Sequence, residues 1–166
     1  PSFRWLHESF GTNWRMTEMQ AAIGRIQLRK LKSWVEKRRH NAEILTQAFI
    51  NIPAFRVTMP PEDVYHAFYK YYVFLRPEML KAGWDRERVI VAINELGIPC
   101  FTGSCSEMYL EKAFDTDGLR PEKRLPVARE LGDTAMMFPV HPTLSEKDMK
   151  DVVRAVEIVL SEAGKV

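Results

Sequence analysis

The stretch TEMQAAIGRIQLRKLKSWVEKRRHNAEILTQAFI, from Thr17 to Ile50, decides the fold. Thr17 and Gln20 have the spacing of a capping box, in which a threonine hydroxyl and a glutamine side chain satisfy backbone groups at a helix start. Apolar residues then recur mostly in steps of three and four, and no glycine or proline after Gly24 interrupts the pattern before Pro53. The pattern predicts one helix over this whole stretch, residues 17–50.

The length of the predicted helix is itself informative. At about 1.5 Å per residue it would reach about 50 Å, whereas a compact domain of this chain's size is roughly 40 Å across. A helix that outreaches its own core usually connects to another domain or partner. The chain also begins Pro1-Ser2-Phe3 without an initiator methionine. We therefore expect a fragment, or a processed product, of a longer protein.

Downstream of the long helix the sequence alternates between β-rich and helical segments. This order predicts an α/β (α+β) fold in which the helices lie on one face of a sheet of about three strands. Whether that sheet is parallel or mixed does not follow from the sequence. Strands are predicted at Ala67–Arg76, Ile98–Thr102 and Thr134–Val140, with Phe55–Met59 either a short strand or an extended link. Helices are predicted from Asp85 to Leu96, at Glu122–Leu131 and from Ser145 to Glu162, with a possible short helix at Glu107–Phe114.

Composition and charge narrow the classes of function. The chain has 166 residues, 46% of them apolar, and a net charge of +2, which gives no whole-protein argument for nucleic-acid binding. No apolar run approaches ~18 residues, so no membrane span is expected. Cys100 and Cys105 are too few for a disulfide scaffold and lack a zinc-ligand spacing. This usage favours a cytoplasmic setting and a buried, structural Cys100.

Three further groups of side chains have both a functional and a structural interpretation. Gly103-Ser104-Cys105-Ser106 precedes a possible helix start and suits an anion, although an ordinary serine-capped loop is favoured. His66 and His141 are candidate acid–base groups, and a structural role is favoured for both. The basic residues of the long helix go nearly all round it, which favours a solvated face over a nucleic-acid interface. They are Arg25, Arg29, Lys30, Lys32, Lys37, Arg38 and Arg39.

Asn13 and Arg15 lie just ahead of the predicted helix start. An asparagine amide donates N–H groups and an arginine presents a planar fork of donors, and both suit a phosphate or carboxylate. The structural interpretation is a turn asparagine and a surface arginine. The residues alone leave the two interpretations equally open, and they do not form a complete catalytic set.

The stretch GTNWRMTEMQAAIG, from Gly11 to Gly24, resembles a signature of the PLP-dependent sugar aminotransferases, the DegT/DnrJ/EryC1/StrS family. The resemblance continues in QLRKLKSWVEKRR, in the His66-x-x-Tyr69-x-Tyr71 strand, in LGIPCF and in PVARELGDTAMMFPVHPTLSEKDM. It extends over nearly all of the chain. The first motif is the most specific of these.

The resemblance implies the small C-terminal domain of a fold type I enzyme that uses pyridoxal 5'-phosphate (PLP). Residues 1–16 would be a loop from a missing larger domain, 17–50 an interdomain helix and 51–166 the small α/β domain. In that family the lysine that attaches the cofactor lies upstream, in the larger domain. This chain alone is therefore expected neither to hold PLP nor to be active. The whole enzyme is expected to be a cytoplasmic homodimer that uses an amino donor such as glutamate.

The family's activity is the amination of nucleotide-linked keto-sugars, used in bacterial polysaccharide or lipopolysaccharide biosynthesis. Carried over by position, Asn13 would reach the PLP phosphate across the dimer interface, and Arg15 would lie near the substrate of the neighbouring subunit. Many relatives have Tyr-Pro-x-Pro-Leu-His after the second strand, where this chain has FTGSCSEMY. Ser104 and Ser106 are the candidate substrate contacts there. The alternative is a non-catalytic binding or regulatory module of the same fold.

Overall fold

The computed structural model describes residues 9–11, 15–115 and 118–165. Four helices and four strands make up the described fold, and three short 3-10 helices connect them. In chain order the main elements are α1 (Glu18–Phe49), β1 (Phe55–Val57), β2 (Tyr71–Leu75), α2 (Arg86–Glu95), β3 (Phe101–Thr102), α3 (Pro126–Thr134), β4 (Ala135–Phe138) and α4 (Glu146–Ala163). The 3-10 helices are Pro77–Met79, Met108–Leu110 and Lys112–Phe114.

Helix α1 confirms the long helix predicted from the sequence. The Gln20 backbone N–H donates to the Thr17 hydroxyl at 3.3 Å, and the Thr17 N–H donates to the Gln20 side chain at 2.8 Å. These two bonds form the predicted capping box. All the buried residues of α1 lie at its C-terminal end, between Asn41 and Phe49. The N-terminal half of the helix therefore projects from the described core.

The sheet has the strand order β1-β2-β4-β3 and is antiparallel throughout. It contains four strands because Phe55–Val57, which the sequence left open, pairs with β2 in a register that opposes Phe55 and Leu75. Strands β2 and β4 lie side by side at the centre, with Tyr71 opposite Phe138. Their proximity brings together two segments that are far apart in the sequence. The α/β fold class is confirmed.

The core lies between one face of this sheet and helices α1, α2 and α4. Phe49 of α1 packs its ring 5.9 Å from that of Tyr71 and 5.6 Å from that of Phe138. All three side chains are almost fully buried. On the opposite face, Arg56 lies over the Phe74 ring and 3.9 Å from Glu130 of α3. The prediction that the helices lie on one face therefore holds for α1, α2 and α4 and is wrong for α3. Among the described helices, none is long and apolar enough to cross a membrane.

The start of α2 agrees with the sequence-based prediction, whereas two strands begin later than predicted. Asp85 caps α2 through the Arg88 N–H at 2.8 Å, as predicted. The strand predicted at Ile98 begins only at Phe101, because the Asn94 side chain of α2 bonds both backbone groups of Cys100. The strand predicted at Ala67 begins at Tyr71, because Phe68 has a left-handed backbone with φ 45°. A side-chain contact therefore delays the start of β3, and a left-handed backbone delays the start of β2.

Two predicted helices are also displaced. The predicted short helix at Glu107–Phe114 is instead a pair of 3-10 turns. The helix predicted at Glu122–Leu131 begins at Pro126 and continues to Thr134. Proline at a first helical position has no N–H to leave unsatisfied and favours the helical φ angle, which explains the later start.

Candidate functional site

The first candidate site residues lie ahead of α1. Arg15 is exposed, and no hydrogen bond or ion pair joins it to another described residue. Asn13 lies outside the described residues, so the role assigned to it stays a prediction. Slightly earlier in the chain, the Phe10 ring contacts the Phe114 ring edge-on, with centroids 5.4 Å apart. The segment that precedes the motif thus lies against the loop that follows β3.

Ser104 lies at the start of that loop, where the loop leaves the sheet. The Ser104 and Tyr72 hydroxyls are 2.5 Å apart, and Ser104 is exposed. Gly103 is required here, because a Cβ at that position would lie 2.4 Å from the Cβ of Ala135. The backbone of the loop therefore packs directly against Ala135, the first residue of β4. Of the Ser104 and Tyr72 hydroxyls, one donates its proton to the other. The hydroxyl that accepts keeps its own proton, which it can donate to another group.

Ser106 has a different environment from Ser104. Its hydroxyl donates to the Ala128 carbonyl at 2.6 Å and ties the loop to α3. The side chain is half-buried. The Ser106 hydroxyl proton is therefore already used in a hydrogen bond within the protein. Toward a substrate, the Ser106 oxygen could act only as a hydrogen-bond acceptor. The two serines predicted as substrate contacts share one loop but present different chemistry.

An ion pair with a buried carboxylate and an exposed guanidinium joins two parts of the same loop. Glu107 is almost fully buried, and its carboxylate accepts from Arg124 through two guanidinium nitrogens. It also accepts from the Tyr109 hydroxyl at 2.6 Å. The Tyr109 oxygen in turn accepts the Leu125 N–H at 3.0 Å. These contacts join the first part of the loop, at Glu107 and Tyr109, to its last part, at Arg124 and Leu125.

The surroundings of Tyr109 and Arg124 shift the pKa values of both side chains. Desolvation first, and the hydrogen bond to Glu107 second, raise the pKa of Tyr109. The hydrogen bond to Glu107 is also the main reason that the pKa of Arg124 is raised. The Arg124 guanidinium therefore stays protonated throughout the physiological range. Sequence reasoning missed this pair because its partners are 17 residues apart and no periodicity relates them.

The arginines at the middle of α1 correct one sequence interpretation. Arg38 donates to the Phe68 and Tyr69 carbonyls at 3.3 and 2.8 Å, and Arg39 donates to the His66 carbonyl at 2.9 Å. These two basic side chains are therefore bound to the protein rather than solvated, whereas Arg25, Arg29, Lys30 and Lys32 are exposed. The positive φ of Phe68 leaves its backbone carbonyl free of the sheet, where Arg38 binds it.

The histidines and cysteines have structural contacts. His66 accepts the Phe68 N–H at Nδ1, and His141 Nδ1 lies 2.7 Å from the Thr143 hydroxyl. Burial raises the pKa of Cys100 to about 12, which keeps it a thiol and confirms the buried role predicted for it. In the part of the chain that the structure describes, no group of three or more histidine, cysteine or acidic side chains could hold a metal.

Comparisons with known proteins define the class. The model of the DegT/DnrJ/EryC1/StrS aminotransferase family matches residues 2–157. The chain is similar to the spore coat polysaccharide biosynthesis protein SpsC of Bacillus subtilis, at 29% identity over 94% of this chain and 40% of that protein. It is 30% identical to the dTDP-3-amino-3,4,6-trideoxy-alpha-D-glucose transaminase of Streptomyces venezuelae, over 92% of this chain and 38% of that protein.

A solved structure extends the match to three dimensions. The chain superposes on the aminotransferase from Psychrobacter cryohalolentis with a TM-score of 0.84 and 52% identity, over 98% of this chain and 43% of that one. The chain belongs to the DegT/DnrJ/EryC1/StrS aminotransferase family. It spans about two-fifths of the length of these relatives.

Proposed function

We propose that this chain is the C-terminal part of a PLP-dependent aminotransferase that acts on a nucleotide-linked keto-sugar. The observation that carries the proposal is the match to the P. cryohalolentis aminotransferase at 52% identity over 98% of this chain. The similarity to a transaminase of a dTDP-linked sugar and to a polysaccharide biosynthesis protein supports the substrate class. The whole enzyme would serve bacterial polysaccharide or lipopolysaccharide biosynthesis.

Arg15, the described residue of the motif ahead of α1, has an environment that supports the role proposed for it. An exposed Arg15 without a carboxylate partner among the described residues keeps its guanidinium donors available for an anionic group. Arg15 lies two residues before Thr17, the N-cap of α1, and this position limits the motion of its backbone. Asn13 would contact the phosphate of PLP bound by the other subunit, and Arg15 would bind the substrate. PLP, when bound, supplies the electron sink for moving an amino group.

The described loop supplies a second part of the site. Ser104 and Tyr72 share one hydrogen bond and keep one O–H to donate to a substrate oxygen. Glu107 and Arg124 keep this loop in one conformation because their ion pair is buried at the carboxylate. The pair would therefore orient the substrate without touching it. We assign no lysine of this chain to attachment of the cofactor and expect that lysine upstream.

The proposal is tested by assaying the whole protein with PLP, glutamate and nucleotide-linked keto-sugars. We expect an aminated sugar from the whole protein and no turnover from residues 1–166 alone. A whole protein that binds PLP yet aminates none of these sugars would favour a non-catalytic module of the same fold. Size-exclusion chromatography with light scattering checks the expected dimer.

A substitution in the loop locates the substrate contact. Ser104→Ala in the whole enzyme should raise KM for the sugar several-fold, because a substrate contact is lost while the reacting centre is unchanged. Ser161→Ala is the matched control, since Ser161 is exposed on α4 and donates only within its helix, to Ile158. Equal KM values for the two variants would remove Ser104 from the site.

A further inference from the structure

A cationic pocket lies where the middle of α1, the start of β2 and the turn between β4 and α4 meet. Arg38, Tyr69, Lys70 and His141 line a cavity of about 220 Å³ together with Pro139 and Val140. A second cavity of about 390 Å³ adjoins it and shares Arg38 and His141. Gly103, the residue before Ser104, lies beside Ala135 at the opposite end of β4 from Pro139 and Val140.

Arg38 is fixed at one wall of this pocket. Its Nη1 donates to the Phe68 and Tyr69 carbonyls, and its guanidinium lies over the Tyr69 ring at 5.8 Å. These contacts use one nitrogen and position the planar group, while the other guanidinium donors stay available. No carboxylate pairs with Arg38 among the described residues. The positive charge at this wall is therefore oriented but not neutralised.

Lys70 lies opposite, between two aromatic rings. Its ammonium is 5.7 Å from the centroid of Tyr69 and 5.7 Å from that of Phe101. Such contacts hold a cation over the ring faces without cancelling its charge. The side chain is half-buried. A half-buried ammonium beside two ring faces gains from binding an anion, since part of its hydration is already lost.

His141 completes the pocket from the turn after β4. Its Nδ1 pairs with the Thr143 hydroxyl at 2.7 Å, which orients the ring. The turn itself is held by Asn41, whose side chain is fully buried and donates to the His141 and Leu144 carbonyls at 3.4 and 3.3 Å. With Nδ1 engaged, the Nε2 of His141 is the ring nitrogen left to meet a ligand.

The surrounding charges favour an anion. Of the described residues that line the two cavities, none is acidic. Two carboxylates of α4 have hydrogen-bond partners outside the pocket: Glu146 with His40 at 2.9 Å, and Asp148 with the Ser145 hydroxyl and N–H at 2.7 Å. The hydrogen bonds from Ser145 first, and the charge of His141 as a smaller cause, lower the pKa of Asp148. A concave surface of one charge sign raises the local concentration of ions of the opposite sign.

We propose that this pocket binds a phosphate-type anion, as the phosphate or diphosphate group of a small molecule. Donors reach it from three elements, through a guanidinium, an ammonium and an imidazole. Such a spread of directions suits a tetrahedral group with several oxygens better than a planar carboxylate, which is matched by one bidentate arginine. That the natural ligand is a nucleotide-linked sugar rests on the function proposed above, whereas the anion site itself does not.

The test is calorimetric titration of inorganic pyrophosphate into the PLP-loaded whole protein. We expect saturable binding whose Kd rises about tenfold in Lys70→Gln and in His141→Asn, the loss of roughly one charge-assisted hydrogen bond each. Lys32→Gln makes the same change of charge at an exposed position of α1 and should leave Kd unchanged. Arg38 is not substituted, because it also holds the backbone before β2. Equal melting temperatures show that the variants are folded.

A second ligand separates phosphate from carboxylate. Glutarate, a dicarboxylate of similar charge, should bind at least tenfold more weakly than pyrophosphate. The inference is overturned if pyrophosphate does not saturate, if neither Lys70→Gln nor His141→Asn raises Kd, if Lys32→Gln raises Kd equally, or if glutarate binds as tightly. Transaminase activity is measured in parallel: an active enzyme without this binding contradicts the site alone, and binding without activity contradicts the proposed function alone.

Discussion

The two halves of α1 have similar apolar patterns and opposite environments. Met19 and Ile23, in the first half, are 76% and 54% exposed, whereas Leu45 and Phe49, in the second, are fully buried. The change occurs within one uninterrupted helix, near Arg38. Periodicity thus identifies the helix but does not say which of its apolar residues belong to the core of this chain. Under the function proposed above, the larger domain would pack against this exposed row.

The strongest test of this contrast compares two large-to-small substitutions. In residues 1–166, Phe49→Ala should lower the free energy of unfolding by about 3–5 kcal/mol, because it empties a site packed against Phe55, Tyr71 and Phe138. Ile23→Ala in the same chain should change it by no more than about 0.5 kcal/mol. Denaturant unfolding measures both. Similar losses for the two variants would contradict the division of the helix.

The two capping boxes offer a smaller and sharper comparison. Ser145→Ala removes a cap from α4, whose apolar face is packed in the core, and should cost about 1 kcal/mol of global stability. Thr17→Ala removes the equivalent bond from the unpacked end of α1 and should fray that end with a smaller global effect. Hydrogen exchange of the first turns, read beside unfolding curves, distinguishes local from global loss. A full global cost for Thr17→Ala would show that the first half is packed after all.

A pH-dependent contact at the boundary gives the smallest effect. His40 pairs with Glu146 at 2.9 Å and links α1 to α4. The hydrogen bond from His40, followed by its charge, lowers the pKa of Glu146. A lowered pKa contributes stability above the unfolded carboxyl value, near pH 4.3, and loses it as the pH falls through the folded value.

The melting temperature of Glu146→Gln should therefore lie slightly below that of the parent at pH 6, and the gap should close by pH 3. The effect is small because both side chains are about half exposed. Glu157→Gln, at an exposed position of the same helix, should show no such gap. A gap that persists unchanged at pH 3 would mean that the ion pair is not its cause.

Local chemistry explains which parts of the fold the sequence could predict. The caps at Thr17, Asp85 and Ser145 involve neighbours three residues away, so the chain alone specifies them. The late start of β3 depends on Asn94, which bonds Cys100 only six residues later but from the end of a helix. The backbone at Phe68, where β2 is delayed, is bound by Arg38, 30 residues earlier in the chain. Contacts of that span become visible only once the helices and strands are placed.

The candidate site divides in the same way. Ser104 could be singled out from a departure in a family motif, but its partner Tyr72 depends on the pairing of β2 with β4. The carboxylate of Glu107 gave no signal, because a buried acid is indistinguishable by sequence from a surface one. The role expected of Asn13 stays a prediction, since it concerns residues outside the described ranges.

The close approach of Gly103 to Ala135 has a consequence for substitutions in the loop that follows β3. Two small residues fix the height of the loop above the sheet, so the exposed side chain of Ser104 can change without a clash against β4. Variation at Ser104 would alter what the loop recognises, whereas enlargement of Gly103 would displace everything the loop carries. Under the proposed function, substrate contact and the seating of the loop would thus fall to the adjacent residues Ser104 and Gly103.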